Sequence, residues 1–370
     1  MIVFLIFFFS LYGGMHLYAF LKLRSLFSLN TVASLLTGIF MTIMTFAPLI
    51  TRISEKRGLE GLALSMAWTG YLWMALIFLF CSCVMPVDIV HALLKRFIPS
   101  ISQWKMEYPF FICLTVAVSL LLYGYIDALN IRTERIVIKT DKIKKDIRVV
   151  QISDVHTGLI VRGERLKRII DKVREAEPDI IVSTGDLVDG QIDKLEGIAE
   201  VFKGLNPSYG KFAITGNHEF YAGLSEALSF TEKAGFLILR GEAVYLPELN
   251  LSIAGVDDPA GIRYGMSKNI TEESLLRGLE PGSFILLLKH RPIVSRSSKG
   301  LFDLQLSGHT HKGQIFPFSI LTGLYYPKDS GCLEEVNGCY LYVSRGAGTW
   351  GPPVRVFAPP EITVIEIKRR

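Results

Sequence analysis

Five short polar clusters in the C-terminal part of the chain hold residue types that bind metal ions. Each cluster directly follows a short apolar run. In chain order they are Asp154-x-His156, Gly185-Asp186, Gly216-Asn217-His218-Glu219, His290 and Gly308-His309-x-His311. Any one of them is weak evidence, because a lone histidine at a strand end is more often structural than a ligand. Together they supply carboxylate, imidazole and amide oxygen ligands without a thiolate, and that set suits Mn²⁺, Fe or Zn²⁺.

The apolar runs before the clusters are expected to be β-strands that end at a common edge. Sites in open α/β sheets form at the carboxyl ends of strands, so clusters placed there should converge. Residues Glu164–Ala176 carry apolar residues at helical spacing, which predicts a helix. Strand–helix alternation followed by strand-rich sequence favours an α/β sandwich of α/β/β/α type. The predicted strands are Ile147–Ile152, Ile180–Ser183, Lys211–Ile214, Leu251–Ala254, Phe284–Leu288, Leu304–Leu306, Cys339–Val343 and Ile362–Ile367.

Taken together, the five clusters resemble the calcineurin-like metallophosphoesterase superfamily, and the resemblance covers about residues 147–360. The stretch from Gly346 to Arg355, followed by the stretch from Ala358 to Thr363, resembles a bacterial branch of the YkuE/YaeI type. Members of that branch are often associated with the membrane or exported. The resemblance implies a first metal ion held by Asp154, His156 and His311, a second held by Asn217, His290 and His309, and Asp186 as the bridge.

The same resemblance implies a mechanism. A hydroxide made from water between two divalent ions would attack phosphorus in line. His218 is expected to protonate the leaving oxygen, with Asp154 orienting it, and the alternative is a supporting residue beside the ligands. Candidate phosphate contacts are Arg291, Arg345 and Lys312. For Lys312, a side chain that points into solvent is favoured over a phosphate contact. Asp257 and Asp258 are expected to be turn residues.

Four apolar stretches precede residue 129. Each is long enough to cross a bilayer as a helix of about 20 residues, whereas four buried core helices in series would be unusual. We therefore predict a four-span anchor over 1–128 and a catalytic domain over 129–370. The basic segment Val87–Trp104 is either an interfacial amphipathic helix or a loop with one or two helical turns. The stretches are roughly Ile2–Leu21, Thr31–Ile50, Leu62–Met85 and Pro109–Ala128.

The side of the membrane depends on which basic residues are counted. The first and third predicted loops hold five of them and the second holds three, which places the catalytic domain outside. Seven more follow the fourth stretch and reverse the count. Large domains translocate despite their charge, so we expect a multi-pass protein of a bacterial plasma membrane with an extracytoplasmic catalytic domain.

The bulk composition excludes an ordinary soluble protein, since half of the residues are hydrophobic and the mean hydropathy is +0.35. The net charge of +5 is modest, and no dense basic block or aromatic stacking motif predicts nucleic-acid binding. A two-residue turn at Asn337-Gly338 would pair Val336 with Cys339. Cys332 would then not face Cys339, and we expect no disulfide.

The sequence thus predicts a membrane-anchored hydrolase that cleaves a phosphoester, either a phosphodiester or a pyrophosphate. The expected partners are that substrate and membrane lipid, and membrane placement favours a lipid-linked substrate. The oligomeric state is not indicated. The alternative is a catalytically weak membrane sensor or scaffold, which the complete ligand set disfavours. A transporter is disfavoured because the apolar stretches hold almost no ionisable residue apart from His16.

Overall fold

The computed structural model describes residues 2–190, 196–268, 270–326, 331–336 and 338–370. They form two compact units. The helical unit contains residues 1–126 and Gly351–Val356, and the sheet unit contains Asp127–Trp350 and Phe357–Arg370.

The helical unit consists mainly of four helices that are long and apolar enough to cross a membrane, by length and composition. The four predicted stretches are confirmed as helices, and three of them extend well beyond the predicted ends. Helix α2 begins after Asn30, whose side chain accepts a hydrogen bond from Ala33 N at 2.9 Å. The helices are α1 Ile2–Phe27, α2 Thr31–Lys56, α3 Glu60–Leu94 and α4 Glu107–Asp127.

The longer helices change two expectations for this unit. Helix α3 continues through Leu94 and a 3-10 turn covers Pro99–Gln103, so the segment Val87–Trp104 is not one amphipathic helix. The helices also contain charged residues beyond the predicted apolar stretches. Lys22 near the end of α1 and Asp88 near the end of α3 form an ion pair, with Nζ 2.6 Å from Oδ2.

The sheet unit contains two six-stranded sheets. The first sheet is parallel except where β12 meets β2. In order across the sheet its strands are β1 Arg132–Thr140, β12 Glu361–Arg369, β2 Ile147–Ile152, β3 Ile180–Ser183, β4 Lys211–Ala213 and β5 Leu237–Ile238.

The second sheet is parallel in its centre, and an antiparallel strand pairs at each edge. Val336 pairs with Cys339 as predicted, while Asn337 of the predicted turn lies outside the described residues. Across the sheet the strands are β10 Leu333–Val336, β11 Cys339–Val343, β9 Leu304–Ser307, β8 Phe284–Leu288, β7 Leu251–Gly255 and β6 Glu242–Leu246.

The two sheets share one apolar core. Val149 and Val182 of the first sheet are fully buried in the same cluster as Leu286 and Leu304 of the second. Each such side chain contributes roughly 1.5–3 kcal/mol when it leaves water. Mostly apolar central strands are typical of sheets covered on both faces, so the predicted α/β sandwich is confirmed.

Helices complete the sheet unit. Helix α5, which the sequence predicted, buries Leu166, Ile169, Ile170 and Val173 on one face. The helices are α5 Glu164–Glu175, α6 Glu196–Lys203, α7 Asn217–Ala222, α8 Leu224–Lys233, α9 Ala260–Arg263, α10 Glu272–Arg277 and α11 Phe318–Tyr325.

Candidate metal centre

The polar clusters converge at the carboxyl ends of β2, β3, β4, β8 and β9. Three groups of side chains there each bring possible metal-binding atoms within 4.8 Å of one another. We call two of them the Asp154 group (Asp154, His156, His311) and the Asp186 group (Asp186, His290, His309). They match the two metal sites that the family resemblance implies, apart from Asn217. Ligation itself stays a prediction.

Asp186 lies between the two groups. Its Oδ2 is 3.4 Å from His290 Nε2, within its own group. The same oxygen is 3.8 Å from His156 Nε2, which belongs to the Asp154 group. One carboxylate therefore approaches imidazole nitrogens of both groups, as a bridging ligand must.

Within each group, imidazole nitrogens point at one another. The Nε2 atoms of His156 and His311 are 3.0 Å apart, and His309 Nδ1 is 3.2 Å from His290 Nε2. His311 Nε2 is also 3.4 Å from Asp154 Oδ1. Imidazole nitrogens and carboxylate oxygens gathered this closely form a donor set that fits divalent metal ions.

Asn217 supplies a second sign of fit. Its Oδ1 is buried and accepts no hydrogen bond from the described residues. A buried amide oxygen of this kind usually has a partner, and a metal ion would be one. Helix α7 begins at Asn217, and three residues separate it from the end of β4.

Backbone strain is concentrated in the same residues. Left-handed φ costs a non-glycine residue roughly 1 kcal/mol or more, and it clusters at functional sites. Five of the seven predicted ligands adopt it: Asp154 (φ 52°), His156 (53°), Asp186 (53°), His309 (72°) and His311 (48°).

Hydrogen bonds fix how the predicted ligands are oriented. His290 Nδ1 lies 2.8 Å from Thr184 O, so Nδ1 carries the proton and Nε2 faces the centre. Asp154 Oδ2 accepts from His309 N at 3.0 Å. His218 N donates to Asp186 Oδ1 at 2.8 Å.

Glu219 organises the loop that carries Asp186. Its carboxylate accepts hydrogen bonds from Asp186 N at 3.0 Å, Leu187 N at 2.8 Å and Gly216 N at 2.6 Å. It thus joins the loop after β3 to the turn after β4. Glu219 lies in the Gly216-Asn217-His218-Glu219 motif, but no role was predicted for it.

Two glycines allow the close approach of these loops. A Cβ on Gly216 would stand 2.2 Å from Asp186 Oδ1. A Cβ on Gly308 would stand 2.2 Å from Asp154 Oδ2 and 1.9 Å from Ser153 Oγ. Neither site can take a larger residue without moving a predicted ligand.

His218 belongs to the third group, with His156 and Asp189. Its Nδ1 is 2.9 Å from Asp189 Oδ1. Asp154 was predicted to orient His218, but the carboxylate against Nδ1 is Asp189. The contacts of Asp154 go instead to Ser153, His309 and His311. Asp189 was missed, although it follows Asp186 by only three residues on the same loop.

The electrostatics of the Asp186 group agree with a carboxylate held charged among imidazoles. Burial would raise the pKa of Asp186, but the charges of His290 and His218 hold it well below its usual value. Burial would lower the pKa of His290, yet Asp186 raises it to about 10. Burial and the nearby His290 charge lower the pKa of His309 to about 3.

The arginines predicted as phosphate contacts have different surroundings. Arg291 is partly exposed beside His290 and is held by Asp258, with Nε 2.8 Å from Oδ2. Arg345 pairs with Glu361 and Glu134. Asp258 is more than a turn residue, since it is buried and fixes Arg291. Of the two arginines, Arg291 is therefore the better candidate for a phosphate contact.

Aromatic rings surround the centre. The ring centroid of Tyr221 lies 5.4 Å from that of His218, and the centroid of Trp350 lies 6.0 Å from it. The centroid of Tyr326 lies 5.5 Å from that of His309. Both Tyr221 and Trp350 are half-exposed, so these rings border the side of the centre that solvent reaches.

Comparisons with known proteins agree with this geometry. The sequence model described as "Calcineurin-like phosphoesterase" matches residues 147–313. An "Uncharacterized metallophosphoesterase" of Aquifex aeolicus is 40% identical over 257 residues, which cover 68% of this chain and 98% of the relative. "Uncharacterized metallophosphoesterase YkuE" of Bacillus subtilis is 33% identical over 66% of this chain and 90% of its own length.

The name of another relative refers to a transmembrane protein. A "Transmembrane protein with metallophosphoesterase domain" of Danio rerio is 32% identical over 273 residues, or 70% of this chain. The match spans 62% of that relative's length. This chain itself has four helices that are long and apolar enough to cross a membrane.

Proposed function

The chain belongs to the calcineurin-like phosphoesterase family, and on that premise we propose that it hydrolyses a phosphodiester or pyrophosphate at a centre of two divalent metal ions. The observation that carries the proposal is the position of Asp186. Its Oδ2 lies within 4 Å of imidazole nitrogens from both groups. A shared carboxylate is what a two-metal phosphoesterase requires.

Each group of side chains would hold one of the two ions. Asp154, His156 and His311 would bind one ion, and His290, His309 and Asn217 would bind the other. Asp186 would contact both. Bound there, divalent ions such as Mn²⁺, Fe²⁺ or Zn²⁺ would polarise the phosphoryl oxygens and lower the pKa of water.

His218, supported by Asp189, would donate the proton that the leaving oxygen takes up. Because His218 Nδ1 lies against Asp189 Oδ1 at 2.9 Å, Nε2 would be the atom that gives a proton to the leaving oxygen. The carboxylate would also hold the imidazole ring in a fixed orientation beside the metal centre.

Arg291 would bind a phosphoryl oxygen. Asp258 takes its Nε and one terminal nitrogen in two hydrogen bonds, which fixes the plane of the guanidinium. The group stays partly exposed beside His290. A fixed, charged donor next to a predicted ligand is well placed to orient substrate.

Residues 1–128 would anchor the catalytic domain, residues 129–370, in the membrane. We place that domain on the extracytoplasmic side, because the loops and helix ends on the opposite side hold five basic residues against three, once the seven that follow the fourth span are discounted as part of a large translocated domain. A reporter fused after Arg370 tests this. A phosphatase reporter active only outside the cytoplasm should be active, and activity of a cytoplasmic reporter instead would reverse the orientation.

The activity is tested on the full-length chain in detergent with bis(p-nitrophenyl) phosphate. We expect Mn²⁺-dependent release of nitrophenol that stops after chelation and returns when Mn²⁺ is added. His290→Gln should lose at least about 100-fold in rate, whereas His91→Gln, outside the centre, should match the wild type. A rate that survives chelation would rule out the proposed chemistry.

A further inference from the structure

Helix α11, Phe318–Tyr325, exposes its apolar side chains. None of its residues is buried, and the structure describes all of them. An apolar side chain loses roughly 1.5–3 kcal/mol by staying in water instead of an apolar environment. The exposed fractions are 48% for Phe318, 57% for Ile320, 59% for Leu321, 78% for Leu324 and 74% for Tyr325. A contiguous patch of this kind marks an interaction surface.

The patch is also free of charge. From Ile315 to Tyr326 the sequence contains no Asp, Glu, Lys, Arg or His. Phe316, just before the helix, is exposed as well. Lys312 precedes the segment, and Lys328 follows it in the sequence. An uncharged apolar stretch can enter lipid without moving a charge out of water, and lysines near the ends of such stretches reach back to the polar interface.

The helix adjoins the metal centre directly. It begins five residues after Gly313, the last residue of the 3-10 turn that starts at His311. Gly313 packs so closely that a Cβ there would stand 2.4 Å from Ser319 Cα in α11. Tyr326, which follows the helix, contacts the ring of His309. Both ends of α11 are therefore connected to turns or rings that contain or contact predicted ligands.

The sheet unit is covalently joined to the helical unit. The chain passes between the two units at three places, after Ile126, Trp350 and Val356. The helical unit holds four helices that are long and apolar enough to span a bilayer, by length and composition. A chain that is anchored through those helices would carry its sheet unit with it to the membrane.

We propose that α11 inserts into the lipid interface and presents phosphoesters of membrane lipids to the metal centre. The helix would lie about 5–10 Å deep, at the boundary between headgroups and acyl chains. A lipid phosphate would then reach the centre without leaving the bilayer. The binding of α11 to lipid does not depend on the proposed function, but the choice of a lipid substrate rests on it.

The first experiment reads lipid contact without catalysis. Tyr325 is replaced by the photoreactive residue p-benzoylphenylalanine in the full-length chain, reconstituted in nanodiscs of phosphatidylethanolamine and phosphatidylglycerol. Illumination should give adducts with the mass of lipid. The same residue at Glu232, an exposed position on α8, should give none. Crosslinks from position 325 only to protein, or equal lipid adducts from both positions, would overturn the proposal.

The second experiment tests access of a lipid substrate. The double variant Leu321→Ser/Leu324→Ser is compared with the wild type on two nitrophenyl phosphodiesters. One is bis(p-nitrophenyl) phosphate in solution, and the other is phosphatidyl-p-nitrophenol in vesicles. We expect at least a tenfold loss on the lipid and less than a twofold change in solution. Val201→Ser, an exposed apolar residue of α6, is the matched control.

The outcomes distinguish the assignment of α11 to lipid access from the proposed phosphoesterase activity. An equal effect of the double variant on both substrates would overturn the assignment of α11 to lipid access. Failure of the wild type on both substrates would contradict the proposed function, and the lipid adducts at position 325 would still decide whether α11 binds the bilayer.

Discussion

His218 and Asp189 form a buried contact at the edge of the metal centre, with Nδ1 2.9 Å from Oδ1. The ring of His218 meets that of His156 edge to face, with centroids 4.6 Å apart. His218 therefore lies beside a predicted ligand while its own Nδ1 is turned toward a carboxylate outside the two ligand groups.

Asp189→Asn should lower kcat about 10- to 100-fold, because the amide cannot stabilise a protonated His218 as the carboxylate does. KM for bis(p-nitrophenyl) phosphate should change less than threefold. The double variant with His218→Gln should be no slower than His218→Gln alone, since both act through one proton. Asp171→Asn, on the exposed side of α5, is the control. Additive losses in the double variant would show that Asp189 acts independently of His218.

Glu219→Gln should weaken metal binding about 10- to 100-fold, the usual effect of losing a residue that orients ligands. The amide keeps the size of the side chain but replaces one acceptor oxygen with a donor facing backbone N–H groups. The concentration of Mn²⁺ needed for half-maximal rate measures the effect. Glu232→Gln on α8 should leave that concentration unchanged. An unchanged value for Glu219→Gln would contradict the positioning role.

Gly308→Ala should abolish activity at ordinary Mn²⁺ concentrations. The added Cβ would stand 2.2 Å from Asp154 Oδ2, so Asp154 or the loop must move. Gly197→Ala in α6 is the matched control, because a Cβ there meets nothing within 4 Å. Normal activity of Gly308→Ala would show that the loop after β9 can shift to accommodate the Cβ without displacing Asp154.

Lys211→Met should destabilise the sheet unit by about 1–3 kcal/mol, because two buried carbonyls lose their donor. Lys211 Nζ donates to Phe202 O and Ala234 O, both at 2.8 Å, near the ends of α6 and α8. Near-UV circular dichroism during heating measures the loss. Lys203→Met, at an exposed lysine, should cost less than about 0.5 kcal/mol. Equal midpoints for the two variants would count against this capping role.

The same lysine predicts a pH dependence of stability. Burial and the charge of Lys203 lower the pKa of Lys211 from 10.5 to about 8. Between these two values the unfolded chain binds more protons, so stability should rise with pH over that window. Lys211→Met should flatten that part of the profile relative to the wild type. An identical slope in both proteins would assign the effect to other groups.

The sequence predicted the central strands well, because they are continuous apolar runs buried on both faces. Strands β1 and β6 were missed because they are sheet edges with mixed burial, and β1 carries several charged residues. Helix ends were underestimated in α1 to α3, where the helix continues past the apolar run. An apolar run ends where the side chains would leave the lipid. A helix ends only where its backbone hydrogen bonds and capping contacts end, which can be several residues later.

The predicted ligands were brought together because each follows a strand whose end is fixed by the fold. The partner of His218 could not be found in the same way, since Asp154 and Asp189 are both carboxylates on nearby loops. Choosing between them needs the direction of the His218 ring, which depends on tertiary packing. Helix α11 was not predicted, and only its exposure in the structure distinguishes it from a core helix.

The most direct test counts metal ions in the full-length protein. The chain is loaded with Mn²⁺ in detergent, passed through a gel-filtration column and measured by elemental mass spectrometry. We expect about two ions per chain, about one for His311→Ala or His309→Ala, and fewer than one for Asp186→Asn, which removes the shared charge. One ion or none in the wild type, or two in Asp186→Asn, would contradict a two-metal centre joined by Asp186.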